Sequence, residues 1–163
     1  LGISYLIAGR NEDARDEFAR SVDLTSNAWA YHGLACLYLK SDPEKAKQFI
    51  MEGMALQRER LSYQKEGFKI LEKCGAYKEI DEEYKKQTAE NQKNGRIQYY
   101  YVAALEKLER NEEAYHLLND GDGIDVSDIR EGDSDIQSIW ESLHEKVYGE
   151  KGHLPHYYNF KVN

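Results

Sequence analysis

Apolar residues recur along this chain at the three- and four-residue spacing of amphipathic helices, and the polar segments between them recur as well. Arg10-Asn11-Glu12-Asp13-Ala14 returns one hundred positions later as Arg110-Asn111-Glu112-Glu113-Ala114. Two weaker copies, Asp42-Pro43-Glu44-Lys45-Ala46 and Ala76-Tyr77-Lys78-Glu79-Ile80, fill the gap. Aligning Ala14, Ala46, Ile80 and Ala114 gives spacings of 32, 34 and 34 residues, the length of a pair of helices with its turns. Four positions after each stands a large apolar residue, Phe18, Ile50, Tyr84 or Leu118, on the same helical face. An apolar helix precedes each one, carrying Leu1, Gly2 and Tyr5, then Leu34, Ala35 and Tyr38, then Gly67, Phe68 and Leu71, then Tyr101, Val102 and Leu105. The pattern predicts helix pairs over residues 1–27, 28–60, 61–94 and 95–121.

Turn residues support these limits. Asp42 can cap a helix that begins at Pro43, where the missing amide proton costs nothing. Gly9 and Gly75 stand where first helices end and a left-handed residue is needed. Gly95 is expected to end a long charged helix that starts near Tyr77. Residues 122–163 should form an acidic loop, a capping helix and a docked tail. Ser134 and Gln137 offer a capping box, and Ile136, Ile139, Trp140, Leu143 and Val147 share one helical face before a stop at Gly149. The aromatic segment from Leu154 to Phe160 should be extended.

The repeats resemble the tetratricopeptide family over about residues 1–121. That resemblance implies an all-α, right-handed α-α superhelix: a solenoid of about four helical hairpins, a C-terminal capping helix and an extended tail. Each repeat in such a stack relies on its neighbours to cover its apolar face. A narrower resemblance rests on Asn94-Gly95-Arg96-Ile97, Val126-Ser127-Asp128-Ile129-Arg130-Glu131-Gly132, Trp140 with Leu143-His144-Glu145, and Leu154-Pro155-His156. These segments look like the end of large bacterial proteins that pair a β-rich N-terminal domain of unknown function with C-terminal tetratricopeptide repeats. The ending Tyr157-Tyr158-Asn159-Phe160-Lys161 departs from the acidic, arginine-containing one of that group. What the resemblance implies is a scaffold that binds a partner segment or its own N-terminal domain. The alternative is an accessory domain completing a carbohydrate site, with Tyr99, Tyr100 or His32 touching the sugar.

Composition narrows the partners. A formal net charge of −8, with no basic cluster to offset it, argues against nucleic acid. No apolar run reaches the roughly 18 residues of a membrane span, so no membrane association is expected. Cys36 and Cys74 lack metal-type companions and do not form a disulfide framework, which points to a reducing, cytoplasmic setting. The sequence opens at Leu1, inside a helical pattern, and is read as a piece of a longer protein.

No phosphate-cradling, zinc-protease or nucleophile-elbow motif occurs, so neither enzyme activity nor a cofactor is expected. The five histidines are scattered, with no metal-type pair on one helix. Asp120 and Glu131 stand at the spacing of the first and last EF-hand ligands, but Asp125 occupies the glycine position and Ile124 an oxygen position, which leaves a solvated acidic loop. The most informative stripe is Lys65, Lys69 and Lys73, four apart on a first helix, which the tetratricopeptide resemblance places on the concave groove. Arg96, Tyr99 and Tyr100 should continue it, with His32, Cys36 and Lys40 flanking. Such a groove would attract acidic or aromatic-containing peptides. The plainer reading is a solvated face neutralised by Glu66 and Glu72. Of the other aromatics, Tyr101 and Trp140 should pack in the core, and Tyr99 and Tyr100 cannot both be buried with Tyr101.

Overall fold

A computed structural model describes residues 1–25, 27–121, 123–127, 129, 136–155 and 158. Ser134 and the ends of the tail segment lie outside the described residues, as do Asp122, Asp128 and Glu131 of the acidic loop. The chain is all-α: the described residues form ten helices and no strand. They fall into two compact units, Leu1–Ala76 and Tyr77–Asn163.

The first unit contains α1 (Gly2–Ile7), α2 (Asn11–Thr25), α3 (Ala28–Tyr38), α4 (Pro43–Leu56) and α5 (Leu61–Lys73). Successive helices pack as neighbours, and α3 also touches α1 on one side and α5 on the other. Small residues make this packing close. The Phe18 ring from α2 lies against Gly2 of α1 and Gly33 of α3, occupying the space where a side chain at either position would begin. Met54 of α4 fills the corresponding space at Gly67 of α5. Ala14 and Ala46, the sequence markers of the repeat, are fully buried. Tyr63 is buried in α5, and its hydroxyl donates to the Ala28 carbonyl at 2.6 Å, tying α5 to the start of α3. Gln64, also buried, donates from Nε2 to the carbonyls of Met54 and Gln57 at 3.0 and 2.7 Å, satisfying acceptors at the end of α4.

The turns follow the sequence. Asp42 accepts from the Lys45 amide at the start of α4, with Pro43 as its first residue. Gly9 and Gly75 are left-handed, at φ 72° and 68°. At each, two amides close the helix: Gly9 donates to the Leu6 carbonyl and Arg10 to Tyr5, and Gly75 donates to Glu72 and Ala76 to Leu71. This is the paired hydrogen bonding of a Schellman turn.

The second unit contains α6 (Tyr77–Lys85), α7 (Ala89–Gln92), α8 (Gly95–Lys107), α9 (Asn111–Asn119) and α10 (Ile136–Tyr148). Here α6 packs on α8, α8 on α9, and α10 on both α9 and α8. Ile80, Ala114 and Leu118 are fully buried, while Tyr84 stacks on Tyr101 with ring centroids 3.8 Å apart. The long helix expected from Tyr77 is interrupted. Thr88 caps the short α7 by accepting from Asn91, and Asn94 caps α8 by accepting from Ile97. Gly95 therefore begins α8 and does not end its predecessor. Its missing side chain admits the Asp125 backbone carbonyl, which lies against it. The left-handed turn belongs instead to Glu109, at φ 61°, whose amide donates to Glu106 while Arg110 donates to Leu105.

The predicted face of α10 is largely inward, with Ile136, Ile139, Trp140 and Leu143 buried, and Gly149 stops the helix at φ 74°. The Trp140 indole donates to Asn119 at 2.9 Å. Glu106 of α8 accepts from Ser142 and Lys146 of α10, at 2.6 and 2.7 Å. Tyr158 is buried, and its hydroxyl donates to the Leu118 carbonyl at 2.6 Å and accepts from the Ile124 amide at 3.0 Å. One side chain thus ties tail and acidic loop to the end of α9.

Candidate functional site

The most developed side-chain surface of the first unit runs across α3 and α5. Asn27 caps α3 by accepting from the Trp29 amide at 3.0 Å, which fixes Trp29 in the first turn. The indole stays 44% exposed while meeting Tyr63 edge-on at 5.0 Å and His32 at 5.5 Å. One turn further, Cys36 Sγ lies 3.8 Å from His32 Nδ1. Desolvation holds the His32 imidazole below its ordinary pKa, with Glu66 of α5 opposing that shift, so the ring is neutral at pH 7. Desolvation pushes the Cys36 thiol up; Glu66 adds to the push and Lys73 opposes it. These couplings bring Glu66 and Lys73 into the field of His32 and Cys36. A thiol so shifted stays protonated and is a poor nucleophile at neutral pH.

The structure treats the expected groove residues unequally. His32 is half-buried in this aromatic cluster, and Lys73 is exposed in the last turn of α5. Lys40 is exposed just beyond α3. Lys65 and Lys69 are half-buried, and neither they nor Glu66 are without partners. In the second unit, Arg96 and Tyr99 are half-buried, and Arg96 keeps its Nε enclosed. Tyr100 is only 2% exposed, which removes its ring from any surface. Three consecutive tyrosines sweep about 200° of a helix, enough to turn two of them inward. Tyr100 and Tyr101 are the buried pair, and Tyr99 meets Tyr100 edge-on at 5.6 Å.

The second unit holds a polar network that sequence spacing did not reveal. Arg110, at the head of α9, grips Glu113 through Nε and Nη2 and reaches Asp81 of α6 through Nη1 at 2.7 Å. Lys85 also donates to Asp81, and the Tyr101 hydroxyl donates to Glu113 at 3.1 Å. Burial pushes the Asp81 carboxyl up, but its hydrogen bonds to Lys85 and Arg110 outweigh that and hold it below the usual carboxylate range. The hydrogen bond to Glu113, followed by that to Asp81, holds Arg110 more firmly protonated than usual. The recurrence of Arg110 was visible in the sequence; its partner stands 29 residues upstream with no pattern to flag it.

A second aromatic cluster joins α9 to α10. Trp140 stacks on His144 at 4.9 Å, and the Tyr115 hydroxyl lies 2.9 Å from His144 Nδ1. Gly152 packs against the same imidazole.

Among the described residues, no group of His, Cys, Asp or Glu is arranged to hold a metal, and no helix is long and apolar enough to cross a membrane. In the acidic loop, the Asp125 carboxylate accepts from the Ser127 amide at 2.9 Å, an ordinary local turn contact. Compared with protein-family models, with curated proteins and with solved structures, the chain matches none.

Proposed function

We propose that this chain is a protein-interaction module of tetratricopeptide type, whose first helices bind an acidic, aromatic-containing segment of a partner or of a β-rich domain in the same polypeptide. The observation that carries the reading is the α3–α5 face. An exposed Trp29 is held edge-on by Tyr63 and His32, with Lys73 within the field of the neighbouring Cys36. An indole anchored on a rigid helix supplies buried contact at little entropic cost, and a nearby ammonium selects for carboxylates. Lys40 and Lys73 supply the positive charge in this reading, because Lys65 and Lys69 are already partnered.

The carbohydrate reading draws on the same exposed indole but loses Tyr100 to the core. The peptide reading uses both the aromatic and the charged groups, and it assigns no chemistry to the module itself.

The test is fluorescence titration of Trp29 with an acidic tyrosine-containing peptide at two salt concentrations, in a Trp140→Phe chain so that one indole reports. Saturable, salt-sensitive binding that falls about tenfold in a Lys40→Glu, Lys73→Glu chain supports the reading. Binding of a neutral oligosaccharide, with none of the peptide, would replace it with the carbohydrate alternative.

A further inference from the structure

The three helices α1, α2 and α3 pack on one another in the same pairwise pattern as α8, α9 and α10. Their turns also match, Gly9-Arg10 at φ 72° standing where Glu109-Arg110 stands at φ 61°. Both arginines hold the acid three residues on through Nε, Asp13 at 2.8 Å and Glu113 at 2.9 Å. The two faces differ in what covers them. On α8, Tyr101, Ala104 and Leu105 are buried, Tyr84 of α6 stacks on Tyr101, and Asp81 of α6 binds Arg110. The corresponding residues of α1 are Leu1, which is 81% exposed, Ser4, also exposed, and Tyr5, half-buried beneath the Arg10 guanidinium. Arg10 itself keeps 58% of its side chain in solvent.

We propose that the outer face of α1, with Arg10 at its rim, binds an amphipathic helix of a separate protein. That helix presents one carboxylate to Arg10 and apolar or aromatic side chains a turn to either side, as α6 presents Asp81 between Tyr77, Ile80 and Tyr84 to its own unit. The duplicate within the chain specifies the occupant, because it shows what this surface holds when covered: a short acidic helix with its carboxylate on the Nη1 side of the arginine. The complementary charge fixes the register of the partner, and the apolar residues supply the contact area.

The experiment uses the full chain and, as probe, a synthetic peptide with the sequence of residues 77–93. Binding is followed by calorimetry and by the backbone amide resonances of the labelled chain. The expected result is one saturable site, with shifts confined to α1 and to Arg10 through Ala14. Affinity should fall about tenfold in Arg10→Glu and recover when the peptide carries Asp81→Arg. Ser4→Arg, at an exposed position, should also block binding while leaving the helical circular dichroism unchanged. Three outcomes would overturn the proposal: no binding, shifts located elsewhere, or affinity indifferent to both substitutions. A concentration-dependent dimer abolished by Arg10→Glu would likewise replace it with self-association.

Discussion

Two copies of one five-residue motif do different things in this molecule. At residues 110–114 the arginine leaves its own hairpin to bind Asp81 of α6, and the same carboxylate is held by Lys85. At residues 10–14 the arginine stays local, paired with Asp13 and lying over the Tyr5 ring at 4.7 Å. The sequence is nearly identical and so is the turn. What differs is whether a helix lies alongside to supply a second carboxylate. A motif of this kind sets local geometry by itself, but its energetic weight comes from the neighbour it meets.

The largest effect that separates the two copies is expected at Gly95. Its counterpart region in the first unit has no loop pressed on it, whereas here the Asp125 carbonyl lies where a side chain would start. Gly95→Val should destabilise the second unit by about 3 kcal/mol, because backbone on both sides has to move. Chemical denaturation followed through Trp140 would measure it, with Trp29 as the report on the first unit.

Asp81→Ala comes next, at about 2 kcal/mol, since it leaves Arg110 and Lys85 without their shared acceptor. The effect has a pH signature. The folded-state pKa of Asp81 is depressed, so its contribution is complete above the unfolded pKa and fades as pH falls below about 4. Glu106 acts in the same direction: burial pushes it up, but Lys146 and Ser142 outweigh that. An acid titration of stability should therefore lose part of its slope in Asp81→Asn. An unchanged slope would show that the pairing adds nothing in this window.

The smallest effect concerns the turn residue. Glu109→Gly should stabilise the chain by up to about 1 kcal/mol by relieving a left-handed conformation that side chains disfavour, and Gly9→Ala should cost a similar amount. Equal responses to glycine and alanine at both positions would mean that the two turns are not equivalent.

The helix pairs were legible because the repeat markers are core residues with a fixed helical phase, and Ala14, Ala46, Ile80 and Ala114 are all fully buried. Gly9 and Gly75 were legible because a left-handed turn leaves a chemical signature; Glu109 was not, since glutamate carries none. Gly95 misled for the complementary reason: glycine marks either a positive φ or a close approach, and only the fold shows which. The close approach of Phe18 to Gly33 was missed because the repeat register pointed one residue on, to Leu34 and Ala35. The candidate groove was legible in its helical phase but not in its burial. Periodicity aligned Lys65, Lys69 and Lys73, yet the partnering of Lys65 and Lys69 and the burial of Tyr100 depend on neighbouring helices. The link from Arg110 to Asp81 spans two hairpins and has no periodic trace.

The most direct test of the contrast is to compare Arg110→Ala with Arg10→Ala by urea denaturation, each read through the single tryptophan of its own unit. Trp140 reports the first in a Trp29→Phe background, and Trp29 the second in a Trp140→Phe background. Arg110→Ala should lower stability by about 1–2 kcal/mol, less than a fully buried pair would lose because its side chain remains 35% exposed. Arg10→Ala should leave the Trp29 transition where it was. Equal shifts in the two transitions, or none at Arg110, would contradict the claim that the neighbouring helix decides what the motif is worth.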